Sequence, residues 1–219
     1  MTYTQTYYEP MEYLTTRQTG LSYIRILHAS PDVSGVDVFL NNRLMAENLA
    51  YKNFTPYIGV NPGIYSVRVY PADQTYDPVI DTNIQIAPQS IYTTAAIGTL
   101  PDIELYIVPD PVIPPLMNRA RIRFVHLSPT TPEVDITLSD GIPLFRNVVY
   151  KGVTDYKALT PGRYTIQARL PDTDNVVLNV PNVILRPGRN LSVYAVGLTG
   201  ETPPLQFLIP LDGSTYLPI

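Results

Sequence analysis

The chain has no cysteine and no tryptophan, and only three lysines and two histidines in 219 residues. Each shortage removes a class of function. Without cysteine there is no disulfide framework, no thiolate metal site and no thiol nucleophile, and the redox state of the compartment leaves no mark on the sequence. Lysine is confined to Lys52, Lys151 and Lys157, the arginines are scattered and the net charge is −4. The clustered positive charge that neutralises phosphates is missing, so no nucleic-acid partner is expected. No run approaches the roughly 20 apolar residues of a membrane span. The opening MTYTQTYYEPMEYLTTRQTG has neither the basic start nor the apolar stretch of a secretory signal.

Proline and tyrosine are abundant instead, at 23 and 17 residues, a composition that favours short strands punctuated by turns over helices. The two histidines lie in related stretches, ILHASPDVSGVDVFL (residues 26–40) and FVHLSPTTPEVDITL (residues 124–138). His28 and His126 are 98 residues apart (126 − 28), as are Asp37 and Asp135 (135 − 37). One residue later in register, LAYKNFTPYIGVNPGIY matches VVYKGVTDYKALTPGRY, pairing Tyr51 with Tyr150 and Pro62-Gly63 with Pro161-Gly162. Further on, IQIAPQSIYTTAAIG matches ILRPGRNLSVYAVG, pairing Pro88 with Pro187 and Gly98 with Gly197. Order and spacing hold throughout, which marks a tandem duplication.

Each repeat reads as about seven short strands. In the clearest, Tyr164, Ile166, Ala168 and Leu170 alternate with Arg163, Thr165, Gln167 and Arg169, the period of a half-buried strand. Before it, Pro161-Gly162, like Pro62-Gly63 in the first repeat, predicts a type II turn with glycine at the position of positive φ. The expected fold is all-β: two tandem Ig-like or prealbumin-like antiparallel β-sandwich domains. The predicted boundaries are an extended arm at 1–20, a sandwich at 21–109, a proline-rich linker at 110–119, a second sandwich at 120–210 and a tail at 211–219. Four prolines in PDPVIPPLMN make the linker a semi-rigid spacer.

The stretches IRILHASPDVSGVDVFLNNRLMAENLAY, NPGIYSVRVYPA and IYTTAAIG, with their counterparts in the second repeat, resemble the bacterial and archaeal domain of unknown function 4397. The resemblance covers about nine-tenths of the chain. It implies an envelope or extracellular β-sandwich module, often in tandem, with no established chemistry.

Several residue sets could carry chemistry. Ser30-Pro31 and Ser128-Pro129 follow the histidines, so Ser, His and Asp could form a nucleophile, a base and an orienting carboxylate if they converge. Periodicity separates them: His28 shares a face with Ile24 and Ile26, and His126 with Ile122 and Phe124, whereas Asp37 and Asp135 point away from the apolar faces of their strands. The expected roles are structural, the imidazole bonding backbone groups of the Ser-Pro turn and the aspartate capping a neighbouring loop. One imidazole per domain is a poor zinc site, and the acidic loops PADQTYDP and LPDTDNVV lack a full calcium ligand set, so neither a metal nor a cofactor is expected. Tyrosines such as Tyr65, Tyr92, Tyr164 and Tyr194 fall in strands, although an exposed row of them would suit a glycan.

The arm is the least ordinary stretch. Thr2, Thr4 and Thr6 alternate with Tyr3, Gln5 and Tyr7, followed by Tyr8, and this uncharged, strand-prone pattern suits pairing with a sheet edge. The expected function is a non-enzymatic building block of a bacterial surface assembly, such as a spore coat, spore appendage or extracellular filament, that forms a homo-oligomer or polymer through arm and sheet edges. The expected location is the cell or spore surface, reached without a recognisable signal peptide. The alternative is an adhesion module that recognises a glycan or a surface protein.

Overall fold

The structure, a computed structural model, describes residues 20–218. The arm residues Tyr3, Thr4, Thr6, Tyr7 and Tyr8 lie outside the described residues. The described chain divides into two compact units, residues 20–113 with 216–218, and residues 114–215. The N-terminal unit contains β1 (Ser22–His28), β2 (Gly35–Leu40), β3 (Arg43–Ala50), β4 (Ile58–Val60), β5 (Gly63–Pro71), β6 (Ile80–Ile86), β7 (Ile91–Ile97) and β8 (Glu104–Asp110). The C-terminal unit contains β9 (Ala120–His126), β10 (Val134–Leu138), β11 (Pro143–Val148), β12 (Lys157–Leu159), β13 (Gly162–Arg169), β14 (Val176–Leu185), β15 (Asn190–Val196) and β16 (Gln206–Leu208).

Each unit is a sandwich of two four-stranded sheets, and the same strand order occurs twice. The N-terminal sheets run β4-β1-β7-β8 and β3-β2-β5-β6; the C-terminal sheets run β12-β9-β15-β16 and β11-β10-β13-β14. Between the first pair lie Ile24, Ile26, Val36, Val38, Val67, Val69, Ile84 and Ile86. Between the second lie Ile122, Phe124, Val134, Ile136, Ile166, Ala168, Val183, Leu185 and Val193. Removing these alternate side chains from water, at about 25 cal/mol per Å² of apolar surface, is the main force holding each unit together.

One feature departs from the expected antiparallel sandwich. The two central strands of one sheet in each unit, β1 with β7 and β9 with β15, are parallel. Alternation within a strand is identical for either direction of pairing, so pattern alone does not distinguish them. These strands are covered on both faces, as parallel strands usually are: β1 and β15 are buried at every residue.

The Pro-Gly steps meet the expectation in one repeat only. Gly63 and Gly162 open β5 and β13, pairing with Ile86 and Leu185; Gly63 has a positive φ (+154°), whereas Gly162 does not. The tyrosine two residues on closes the corner in both. Tyr65 and Tyr164 donate their hydroxyls to the carbonyls of Asn61 and Thr160, each at 2.7 Å, and the Tyr164 ring lies where a β-carbon on Gly162 would meet it at 3.5 Å. Left-handed backbone falls elsewhere, notably at the Asn41-Asn42 hairpin and at Asn48 and Asn147.

The predicted linker and tail both enter the units. Asp110 is the last residue of β8 and is buried, the Leu116 and Arg119 carbonyls accept hydrogen bonds from the Gly188 N–H, Leu211 bridges Leu191, and Asp212 is fully buried. Gly197 (φ +93°) ends β15 where a β-carbon would collide with the Pro204 carbonyl, whereas Gly141 (φ +84°) faces open space. Gly197→Ala is therefore expected to cost more than Gly141→Ala, the latter losing only the roughly 1–2 kcal/mol of a left-handed L-residue. Denaturant midpoints for the C-terminal unit check this, and equal costs would contradict the collision.

Candidate functional site

The paired motifs sit at one end of each core. His28 and His126 close β1 and β9, are fully buried, and donate through Nε2 to the carbonyls of Val33 (2.8 Å) and Pro132 (3.1 Å), which leaves Nδ1 as the unprotonated nitrogen. Nδ1 of both rings is buried without a hydrogen-bond partner. The edges of Tyr51 and Tyr150 stand against the imidazoles, with ring centroids 5.9 and 6.3 Å apart. Burial pushes both histidines below 6.5, and it pushes the Tyr51 phenol up to about 12.

The serines turn away from the histidines. Ser30 Oγ donates to the Gly98 carbonyl at 2.8 Å and Ser128 Oγ to the Gly197 carbonyl at 2.5 Å, tying the turn to the end of the parallel neighbour strand. The Ser-Pro steps at Pro31 and Pro129 hold these turns, whose carbonyls at Val33 and Pro132 the histidines meet. The aspartates belong to the other sheet. Asp37 Oδ1 accepts the backbone N–H of Asn48 (2.7 Å), and Asp135 Oδ1 accepts that of Asn147 (2.8 Å), at bulges where β3 and β11 slip past β2 and β10. Serine, histidine and aspartate are thus engaged separately, with no nucleophile–base–carboxylate chain among them. No group of three or more His, Asp or Glu that could hold a metal occurs among the described residues.

A second paired constellation lies on the opposite face of the same strands. Arg25 and Arg123 occupy the face of β1 and β9 opposite the core, yet are only 3% and 1% exposed. Arg25 Nε donates to Thr93 Oγ1 (2.9 Å), Thr93 donates to Asp110 Oδ2 (3.0 Å), and Tyr57 donates to the same oxygen (2.6 Å). The guanidinium is covered by the rings of Phe54 and Tyr57, with centroids 4.8 and 4.6 Å away. In the C-terminal unit Arg123, Ser192, Asp212 and Tyr156 repeat the arrangement: Nε to Ser192 Oγ at 2.6 Å, Ser192 to Asp212 Oδ2 at 2.8 Å, and the Tyr156 hydroxyl to that oxygen at 2.5 Å. Arg123 lies 5.1 Å from the Tyr156 centroid. Equivalent arginines between large apolar neighbours, in IRI and IRF, are the signal the sequence carries.

A third feature occurs in the C-terminal unit. On the outer face of the β11-β10-β13-β14 sheet, a cleft of about 280 Å³ is lined by Asp135, Thr137, Arg146, Arg169 and the loop residues Asp172 to Asp174. Arg146 stands 3.4 Å from Asp135, and Arg169 is held by Gln167 Oε1 (2.7 and 3.2 Å) and lies 3.7 Å from Asp174. Thr137 is 4% exposed, and its hydroxyl has no hydrogen-bond partner. The equivalent surface of the N-terminal unit carries Phe39 packed edge-on to Tyr70, with centroids 5.6 Å apart.

The chain belongs to the family described as Domain of unknown function (DUF4397), which matches residues 22–137, over half of its length. No curated protein matches it. Among solved structures it is similar to the Bacillus anthracis TIE protein, at 16% identity and a TM-score of 0.27, over 80% of this chain and 33% of that one. The chain thus spans about a third of that protein's length. It is also similar to CBMbc, a family CBM26 module of Eubacterium rectale Amy13K solved in complex with maltoheptaose, at 9% identity and a TM-score of 0.28, over 84% of this chain and 95% of that one.

Two predictions follow from the buried groups. Asp110→Ala or Asp212→Ala strands a buried guanidinium and should cost about 3–5 kcal/mol, whereas Arg25→Met with Asp110→Leu should cost far less than the sum of its single changes. A double-mutant cycle by denaturant unfolding tests this; additive costs would contradict a paired cluster. For the histidines, the unfolded chain takes up protons below pH 6.5 that the folded chain refuses. Stability fully present above 6.5 therefore falls as pH drops below it, by at most about 1.4 kcal/mol per pH unit for each histidine. His28→Gln and His126→Gln should each flatten that slope in pH-dependent melts, and an unchanged slope would rule out the neutral buried imidazole.

Proposed function

We propose that this protein is a non-enzymatic building block of a bacterial surface assembly, two copies of one sandwich module that associate through the N-terminal arm and a sheet edge. The observation that carries this reading is the placement of the reactive residue types. Both serines, both histidines and both motif aspartates are occupied in closing turns and bulges, twice over. This is how hardware is used, and the same sequence motif appears in each module for that reason.

The edges narrow where association takes place. β8 and β14 contain Pro109 and Pro181, β3 and β11 are bulged, and β4, β12 and β16 have three residues each. Such devices blunt an edge against further pairing. β6 is different: its seven residues pair with β5 in unbroken register, it has no proline, and it is the outermost strand of its sheet. A strand-like arm from a second copy would find its backbone partner there. Contact between the arm of one copy and the edge of another is heterologous, which produces fibres when it does not close into a ring. A cell or spore surface is the setting this reading implies.

The test is electron microscopy of concentrated protein in three forms: full length, a chain starting at Leu21, and Asn83→Lys with Gln85→Lys on the exposed positions of β6. Filaments or sheets from the full chain, lost in both altered forms, are expected. Monodisperse full-length protein, or assemblies indifferent to the arm, would overturn the reading. An adhesive role has one observation in its favour, the polar cleft on the C-terminal unit.

A further inference from the structure

The two units diverge at equivalent positions on the outer face of one sheet. In the N-terminal unit Asp37 pairs with Tyr70 and Phe39 with Arg68; in the C-terminal unit Asp135 pairs with Arg169 and Thr137 with Gln167. Phe39 and Tyr70 pack together and fill that face. Thr137 and Arg169 in their places leave the cleft of about 280 Å³, and Glu47 on the bulged strand becomes Arg146. The change from an aromatic pair to threonine and arginine exchanges a filled surface for an open one lined with hydrogen-bonding groups.

We infer that this cleft is a binding site for a neutral, hydroxyl-rich ligand, one or two sugar rings of a glycan. Three properties select that class. The lining alternates donors and acceptors: the guanidinium groups of Arg146 and Arg169 against the carboxylates of Asp135, Asp172 and Asp174, with the Thr137 hydroxyl able to serve as either. Charge is nearly balanced, so a free anion meets three carboxylates and a free cation meets two guanidinium groups, while vicinal hydroxyls, each donor and acceptor at once, match both. The Thr137 hydroxyl, buried in a residue of the cleft lining, has no partner within the protein, an unmet hydrogen bond that rotation of the side chain can offer to a ligand hydroxyl. At about 280 Å³ the cleft is smaller than the roughly 300–1,000 Å³ of drug-sized sites, which limits the ligand to one or two rings. No aromatic side chain lines the cleft, so recognition rests on hydrogen bonds and a single site binds weakly, in the millimolar range. In an assembly, many weak sites act together through effective concentration.

The site is independent of self-association, and its test can fail while the assembly survives. Amide chemical shifts of the full chain are followed during separate titrations with glucose, galactose, mannose, N-acetylglucosamine and N-acetylgalactosamine, with sodium acetate and sodium phosphate as ionic controls. At least one sugar should give saturable shifts at Thr137, Arg169 and residues 172–174, leaving residues 37–39 and 68–70 of the N-terminal unit unmoved. Thr137→Val keeps the shape and should weaken binding about ten-fold. Thr137→Phe with Arg169→Tyr installs the N-terminal unit's own filling pair and should abolish binding with the rest of the spectrum retained. No saturable shift with any of the five sugars, the same shifts with acetate or phosphate, or undiminished binding by the filled variant would overturn the inference.

Discussion

A guanidinium buried on the covered face of a central strand must be neutralised where it lies, and much of each unit is arranged to do so. Arg25 and Arg123 cannot be left unpaired at 3% and 1% exposure, because the cost of a dry, uncompensated charge rivals the whole stability of a domain. A hydroxyl from the parallel neighbour strand, a carboxylate from beyond it, and a tyrosine from the loop over the sheet complete each cluster. The loop that brings Phe54 and Tyr57 must therefore lie across β1, and the last strand must run far enough to deliver Asp110. This accounts for the continuous burial of β1 and for the buried ends at Asp110 and Asp212.

The same requirement shows where pattern reading succeeds and where it stops. Alternation is a local property, so the sandwich strands and the faces of His28, Asp37 and their counterparts were legible in the sequence. The bulges that Asp37 and Asp135 close are also local and were partly visible as a cap. Pairing direction is not local, and the parallel strands β1 and β7 look no different in sequence from antiparallel ones. Arg25 and Arg123 alternate with large apolar residues and so resemble solvent-facing charges until a loop covers them. Asp110 and Asp212 fall 102 residues apart (212 − 110), outside the repeat's spacing of 98 to 99, and in segments that read as a proline-rich linker and a tail beyond the repeats.

With the interiors so alike, difference between the units is left to their outer faces. The N-terminal unit closes one such face with an aromatic pair, and the C-terminal unit opens it with threonine and arginine. β6 offers regular edge backbone, whereas other long edges are interrupted by proline or bulges. A rigid interior repeated twice, carrying an edge on one unit and a polar cleft on the other, gives a scaffold whose exposed surfaces specialise while its fold does not. The motif common to both units, histidine followed by Ser-Pro, belongs to the shared interior.

The measurement closest to the centre of this account is solvent exchange of the arginine side chains, read from Nε–H signals of the ¹⁵N-labelled protein. Two guanidinium groups, those of Arg25 and Arg123, should exchange far more slowly than the exposed Arg146, and should be released only when their unit unfolds. Exchange of all arginine Nε–H groups at the rate of a free side chain would mean that the clusters are wet, and the organisation of both units around buried charge would be wrong.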